Sequence, residues 1–247
     1  GDHSSSREMR IGQQVTRVEW IETAGELGAL LLESRLIKER QPIHNRRLRT
    51  AKNLFSLSLA RGLNQIPLVK IVTEDDIDPT LFEHLFGLFR SRKAATEALR
   101  GIALDNRLCP RIIGIETGKG ACFAHQLQRC DGVCAGKESP ELHYLRLKQA
   151  LIPHRLKSWP YPGTIGIREH DEASGHSQLH IFDSWLHLGT VEDERELEEI
   201  LQVRASLRFD LDIYNVLQKN LRKHPEVLSL GFSSAHHRVD LCSGIVP

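Results

Sequence analysis

Four of the chain's five cysteines fall in one short stretch, spaced Cys109-x12-Cys122-x7-Cys130-x3-Cys134, while Cys242 stands alone far downstream. This crowding constrains the fold more than any other feature. Thiols this dense are either small apolar core residues or are drawn together as ligands. The N-terminus, Gly1 to Glu8, has no apolar segment after a basic one, so no secretory signal is visible and a cytoplasmic location is the default expectation. Disulfides are disfavoured there, which leaves four thiolates on a metal or an iron–sulfur cluster as the functional reading and unligated thiols as the other. Structural zinc is the rival ligand. Zinc sites usually pair cysteines two to four residues apart, twice over, and only Cys130 and Cys134 form such a pair.

The chain has 247 residues, 40% of them hydrophobic and 26% charged. Those values suit an ordinary globular protein and exclude disordered, collagen-like and disulfide-scaffold classes. The longest apolar run, around Leu27 to Leu32, is far short of the roughly 18 to 20 residues needed to cross a bilayer, so no membrane partner is expected. The net charge of +1 hides an asymmetry, the first 150 residues being basic and the remainder acidic. Arg35, Lys38, Arg40, Arg46, Arg47, Arg49 and Lys52 face one acid, Glu39, which suits phosphate contact or simply a solvated helix end and loop. The opposite excess, residues 192–199, lies early in a predicted helix, where acids complement the positive end of the helix dipole. A chain beginning Gly1, with Met9 as its single methionine, reads as a piece of a longer product.

Val15, Val18, Trp20 and Ile21 form a β-favouring segment, and Thr23 to Glu26 reads as a capping box opening a helix. Leu27, Leu30, Leu31, Leu36 and Ile37 recur at helical spacing, and Pro42 closes the run. Residues 66–73 read as a strand ended by the acidic turn 74–79. Ser91 is placed to cap a helix reaching about Asn106, and Ser139-Pro140 to start another. Pro160, Pro162 and Gly163 mark the best boundary. Beyond it, 164–168 and 178–188 read as strands and 191–206 and 210–223 as helices. The fold class is α+β. His170, His176, His180 and His187 have mixed spacing across the proposed hairpin and are read as core or surface histidines. His125, inside the cysteine cluster, is placed either to bond a sulfur or to face solvent.

Glu33 sits among apolar residues on the first long helix, where a carboxylate can hold a divalent ion or simply be solvated or paired with a cation one turn away. Glu26-Leu27-Gly28-Ala29-Leu30-Leu31-Leu32-Glu33-Ser34-Arg35-Leu36-Ile37-Lys38, followed by Gln41-Pro42-Ile43-His44-Asn45, resembles the closing helix of a GIY-YIG nuclease domain and its P-x-[Y/H]-N ending. Leu85-Phe86-Gly87-Leu88-Phe89-Arg90-Ser91 is similar to a YFGPYPS segment, and Cys122 to Gly136 to a C-x7-C-x3-C-x-G segment. Both belong to the UvrC/Cho-like excision-repair nucleases, including forms fused to a DNA polymerase III epsilon-like 3′–5′ exonuclease.

That resemblance covers about residues 10–150. It implies a truncated GIY-YIG domain at 1–50, a linker and cysteine-cluster region at 51–156 and an unassigned α+β module at 157–247. It further implies metal-dependent phosphodiester hydrolysis on damaged double-stranded DNA delivered by a UvrA/UvrB-type complex. Glu33 falls on the family's ligand for Mg2+ or Mn2+ and Asn45 on its supporting asparagine. The four cysteines fall on residues associated with a 4Fe-4S cluster, with Zn2+ as the alternative. Arg35, Lys38, Arg46, Arg47, Arg49 and Lys52 become candidate DNA contacts. The two tyrosines and the arginine of the domain's first half are missing, since Tyr144, Tyr161 and Tyr214 all follow the glutamate helix. The chain on its own is therefore expected not to cut DNA, and the alternative readings are a DNA- or partner-binding module without chemistry or the C-terminal part of a polymerase III epsilon-like 3′–5′ exonuclease fusion.

Overall fold

A computed structural model describes residues 6–42, 54–61, 67–202, 208–223, 227–232 and 239–242. Two antiparallel sheets with helices packed on them make an α+β protein. The first has β1 (Phe55–Arg61) between β2 (Pro67–Thr73) and β3 (Leu85–Phe89). Alternation along β1 buries Leu57 against Leu99 and Ile102 of α3 (Arg92–Asp105) and Leu147 and Leu151 of α5 (Pro140–Leu151). Both helices begin as predicted. The Ser91 hydroxyl accepts the Ala94 N–H, and the Ser139 hydroxyl accepts that of Leu142 with Pro140 in the first turn. Between them lies the one-turn helix α4 (Phe123–Gln126).

The second sheet has the order β6-β5-β4-β7-β8, with β4 (Ile165–His170), β5 (Ser177–Asp183), β6 (Leu186–Val191), β7 (Val227–Phe232) and β8 (Val239–Cys242). Register pairs Ile165 with Phe182, Ile167 with His180 and Glu169 with Gln178, so these six share one face. Against it pack α2 (Glu26–Arg40), through Leu27 and Leu31, and α7 (Leu211–Asn220), through Ile213, Tyr214 and Leu217. The other face buries Leu179, Ile181 and Leu230 under α6 (Leu197–Gln202). A 3-10 segment, Pro79–His84, inserts Phe82 into the α2/α7 core, edge-on to Phe209 at 5.0 Å and Tyr214 at 5.6 Å. The two sheets thus share apolar contacts.

Four sequence expectations change, the first being the helix expected over 191–206, where Val191 ends β6 and a 3-10 turn, Glu194–Glu196, precedes α6. Residues 15–20, read as β-favouring, have no regular structure, and Val15, Val18 and Trp20 are exposed with no neighbouring strand among the described residues. After α1 (Ser6–Gln14), the long helix starts at Glu26 with Gly25 as its N-cap, and the Thr23 hydroxyl, expected to cap it, donates instead to the Gly25 carbonyl at 3.0 Å. The single strand expected over 178–188 is a hairpin. Ser184 and Trp185 both adopt left-handed φ (49° and 65°) without a glycine or asparagine to announce the turn. Such strain is sustained by context. The Trp185 indole is buried edge-on to Trp159 at 5.2 Å and Tyr214 at 4.8 Å. No helix among the described residues is long and apolar enough to cross a membrane.

Candidate metal centre and nuclease glutamate

The stretch from Leu108 to Lys137 is almost all turns, and its small apolar cluster is made chiefly of Cys109, Cys122 and Cys130 themselves, with Ile112, Ala124, Val133 and Cys134 at the edge. The four Sγ atoms lie within 4.8 Å of one another. Backbone N–H groups surround them: His125 donates to the Cys122 sulfur and Cys122 to that of Cys134, each at 3.3 Å, and Gly132 to that of Cys130 at 3.4 Å. Such a ring of amides favours anionic sulfur. Gly132 makes the approach possible with φ of 91°, and a Cβ there would sit 2.8 Å from the His125 ring. The His125 ring bonds the Cys130 carbonyl through Nδ1 at 3.1 Å, so it neither bonds a sulfur nor simply faces solvent, the two roles expected of it.

Burial pushes the Cys109 thiol far up, and it pushes Cys130 up to about 11 with help from the Cys122 and Cys134 thiols. Burial also acts on Cys134, but the Cys122 amide and the neighbouring thiols outweigh it and bring that thiol below its ordinary range. Four thiols crowded this way become thiolates together only when a cation shares their charge. The donor set therefore fits a metal. A tetrahedral ion with metal–sulfur bonds of about 2.3 Å places its sulfurs ~3.8 Å apart, close to the observed packing. A four-iron cubane needs them farther apart, since an iron stands between each thiolate and the cluster body. Four sulfur donors would leave no open position on a bound ion, the arrangement of structural sites.

Sequence reading missed the supports of this nest. Buried His143 accepts the Cys109 N–H through Nε2 at 3.0 Å. Burial, reinforced by Arg146, lowers its pKa to about 4, so the ring stays neutral. Asp131 joins Arg107 and Arg146, and Arg146 also reaches Glu138 at 2.8 Å, tying the cysteine loop to α5. An i, i+4 spacing from Ser139 at the helix start was the available signal for His143.

Glu33 lies exposed on α2, on the side away from the second sheet. Its carboxylate has no ion pair among the described residues. Of the cations near it in sequence, Arg35 pairs loosely with Glu39 at 3.8 Å, and Lys38 is turned away toward Asp210 and toward Asp212 at 3.6 Å. A carboxylate so presented is available to a divalent ion. Lys38 is half-buried in that pairing and also bonds the Ser34 hydroxyl at 2.9 Å, which leaves Arg35 as the exposed member of the candidate DNA contacts on α2. Asn45, Arg46, Arg47, Arg49 and Lys52 lie outside the described residues.

The four histidines do not form one ligand set, although His180 and His187 both bond the Thr190 hydroxyl, the latter at 3.2 Å. His176 bonds Glu192 at 2.9 Å, and His180 bridges Glu169 at 3.1 Å and Thr190 at 2.9 Å. Glu169, 7% exposed, was not singled out in the sequence, although its alternation with Ile165 and Ile167 puts it on the apolar face. Burial raises its pKa, but bonds from His180 and the Gly28 and Leu27 amides dominate and hold it at about 2, against an ordinary 4.5. A depressed carboxylate contributes stability above its unfolded value and loses it as pH falls through the folded one. The parent should therefore lose about 3 kcal/mol of unfolding free energy between pH 4.5 and 2 through this group. Glu169→Gln should flatten that part of the curve, and parallel curves for the two proteins would contradict the assignment.

Residues 54–152 match the model for the UvrC/Cho excinuclease middle domain, and 164–234 match the excinuclease Cho C-terminal domain. Excinuclease Cho of Shigella flexneri is 43% identical over 212 residues, covering 85% of this chain and 68% of the relative. That of Salmonella typhi is 41% identical over 211 residues, covering 85% and 69%. UvrABC system protein C of Geobacter metallireducens is 35% identical over 132 residues, 52% of this chain and 20% of the relative. No solved structure matches. Matched by the two excinuclease domain models over 54–152 and 164–234, and by excinuclease Cho relatives over 85% of its length, the chain belongs to the UvrC/Cho excinuclease family.

Proposed function

We propose that this chain is the C-terminal portion of an excision-repair endonuclease that hydrolyses a phosphodiester of damaged double-stranded DNA, delivered by a UvrA/UvrB-type complex. The observation that supports this best is the tetrathiol nest within the segment matched by the excinuclease middle domain. In this reading residues 1–50 are the second half of a GIY-YIG domain, 51–156 the cysteine-bearing region and 157–247 a further module. Glu33 holds Mg2+ or Mn2+, Asn45 supports it, and upstream tyrosines and an arginine complete the site. The ion, when bound, supplies charge stabilisation at the phosphoryl oxygens. Without the upstream groups the chain does not cut.

The family resemblance supports reading the thiol nest as the site of a 4Fe-4S cluster, while the close sulfur packing favours one Zn2+ as the second reading. Anaerobically purified protein should be brown, absorb broadly near about 400 nm and contain iron and sulfide. Stoichiometric zinc without sulfide would replace the cluster with structural zinc. Metal-free, stably folded protein would refute both.

Arg46, Arg47 and Arg49, with exposed Arg35, are proposed to contact phosphates. Replacing Arg46, Arg47 and Arg49 together should weaken binding to all DNA sequences alike and reduce the slope of log affinity against log salt by up to about three. An unchanged slope would make the run merely solvated.

A further inference from the structure

The helix carrying Glu33 has no cap of its own. Its N-cap is Gly25, whose missing side chain leaves first-turn N–H groups without a local acceptor. Glu169 of β4, remote in sequence, supplies both oxygens instead: Oε1 accepts the Leu27 N–H at 2.9 Å and Oε2 that of Gly28 at 2.7 Å. Gln178 of β5 accepts the Ala24 N–H at 3.1 Å through Oε1. The glycines are what admit these groups. A Cβ on Gly25 would collide with the Glu169 carboxyl group, and one on Gly28 would lie 3.0 Å from Gln178 Oε1 and 3.1 Å from the His180 ring. A carboxylate on the positive end of the helix dipole, bonded in turn to a fully buried imidazole, is a directional anchor.

The far end of α2 is tied to the same module. Lys38 pairs with Asp210, which itself caps α7 by accepting the Asp212 and Ile213 N–H groups. Between the two anchors Leu27 and Leu31 share a core with Ile165, Ile167, Phe182 and Leu217. Glu33 stands five residues beyond Gly28, a rise of about 7.5 Å along the helix, on the face these contacts leave open.

We propose that Glu169 is a positioning residue for the nuclease glutamate, and that the C-terminal module serves as the rigid mount that sets where Glu33 is presented. This rests on reading Glu33 as the metal ligand. Groups that orient a metal ligand from behind typically change metal affinity ~10–100-fold when removed. Two variants separate positioning from simple stability: Glu169→Gln, and Leu230→Ala, which weakens the opposite face of the same sheet without touching α2.

In the 247-residue chain, Glu169→Gln should raise hydrogen exchange at the Leu27 and Gly28 amides at least ~10-fold, and Leu230→Ala should not do so selectively. In a protein joined to the upstream nuclease half, Glu169→Gln should raise the Mg2+ concentration for half-maximal nicking by ~10-fold or more, with Leu230→Ala unchanged. Equal behaviour of the two variants in both measurements would overturn the proposal while Glu33→Ala still abolished nicking. Full nicking by Glu33→Ala would overturn the reading of Glu33 and the proposal with it.

Discussion

Serine in place of Cys109, Cys122 or Cys130 is expected to strip the metal from the protein and unfold the segment from Leu108 to Lys137. That segment holds one helical turn and a 3-10 turn, and apart from Leu108 and Ile113, which join the core of the first sheet, its buried apolar atoms belong chiefly to the cysteines. Beyond those two residues and the Asp131 ion pairs, little in it offsets the chain entropy of ordering it. Thiolate centres of this kind contribute on the order of 10 kcal/mol of folding free energy, as much as a whole domain's net stability. The loss should show as metal content falling to near zero, protease cleavage within this segment and a lower unfolding midpoint. Parental metal content and stability in the serine variants would show that the thiols are only core residues.

Glu33→Ala, made in a protein carrying the complete nuclease unit, is expected to lower nicking by at least ~10³-fold, the size of several kcal/mol of charge stabilisation supplied through a metal. Because Glu33 is exposed and unpaired among the described residues, the substitution should leave circular dichroism and the unfolding midpoint within about 0.5 kcal/mol of the parent. Glu33→Gln should be nearly as damaging, since an amide is a poor ligand for a hard cation. A large loss of stability, or a loss of activity that high Mg2+ fully restores at the parental maximal rate, would indicate a different role.

What could be read from residues alone was local. Ser91 and Ser139 announce their helices because a hydroxyl three residues ahead of an N–H is a complete local solution. The convergence of four cysteines was legible because ligands cluster even across irregular backbone. The start of α2 was misread for the opposite reason: its acceptor is a glutamate over a hundred residues away, and no short window contains it. Trp185 hid a hairpin because tertiary burial overrides turn chemistry. In β1, Ser56 at 0% exposure bonds the Gly87 carbonyl at 2.7 Å, a polar residue satisfied inside the core. His143 and Glu169 were missed for the same reason, since buried polar partners are chosen by the fold and not by neighbours in sequence.

The most direct test compares nicking of a damaged supercoiled plasmid by the 247-residue chain, by the same chain joined to an upstream half with the missing tyrosines and arginine, and by the joined protein with Glu33→Ala. With Mg2+ or Mn2+ and the damage-recognition complex, the joined protein should nick and the other two should not. Equal nicking by the 247-residue chain and by its own Glu33→Ala form would place the chemistry elsewhere and contradict the assignment of Glu33.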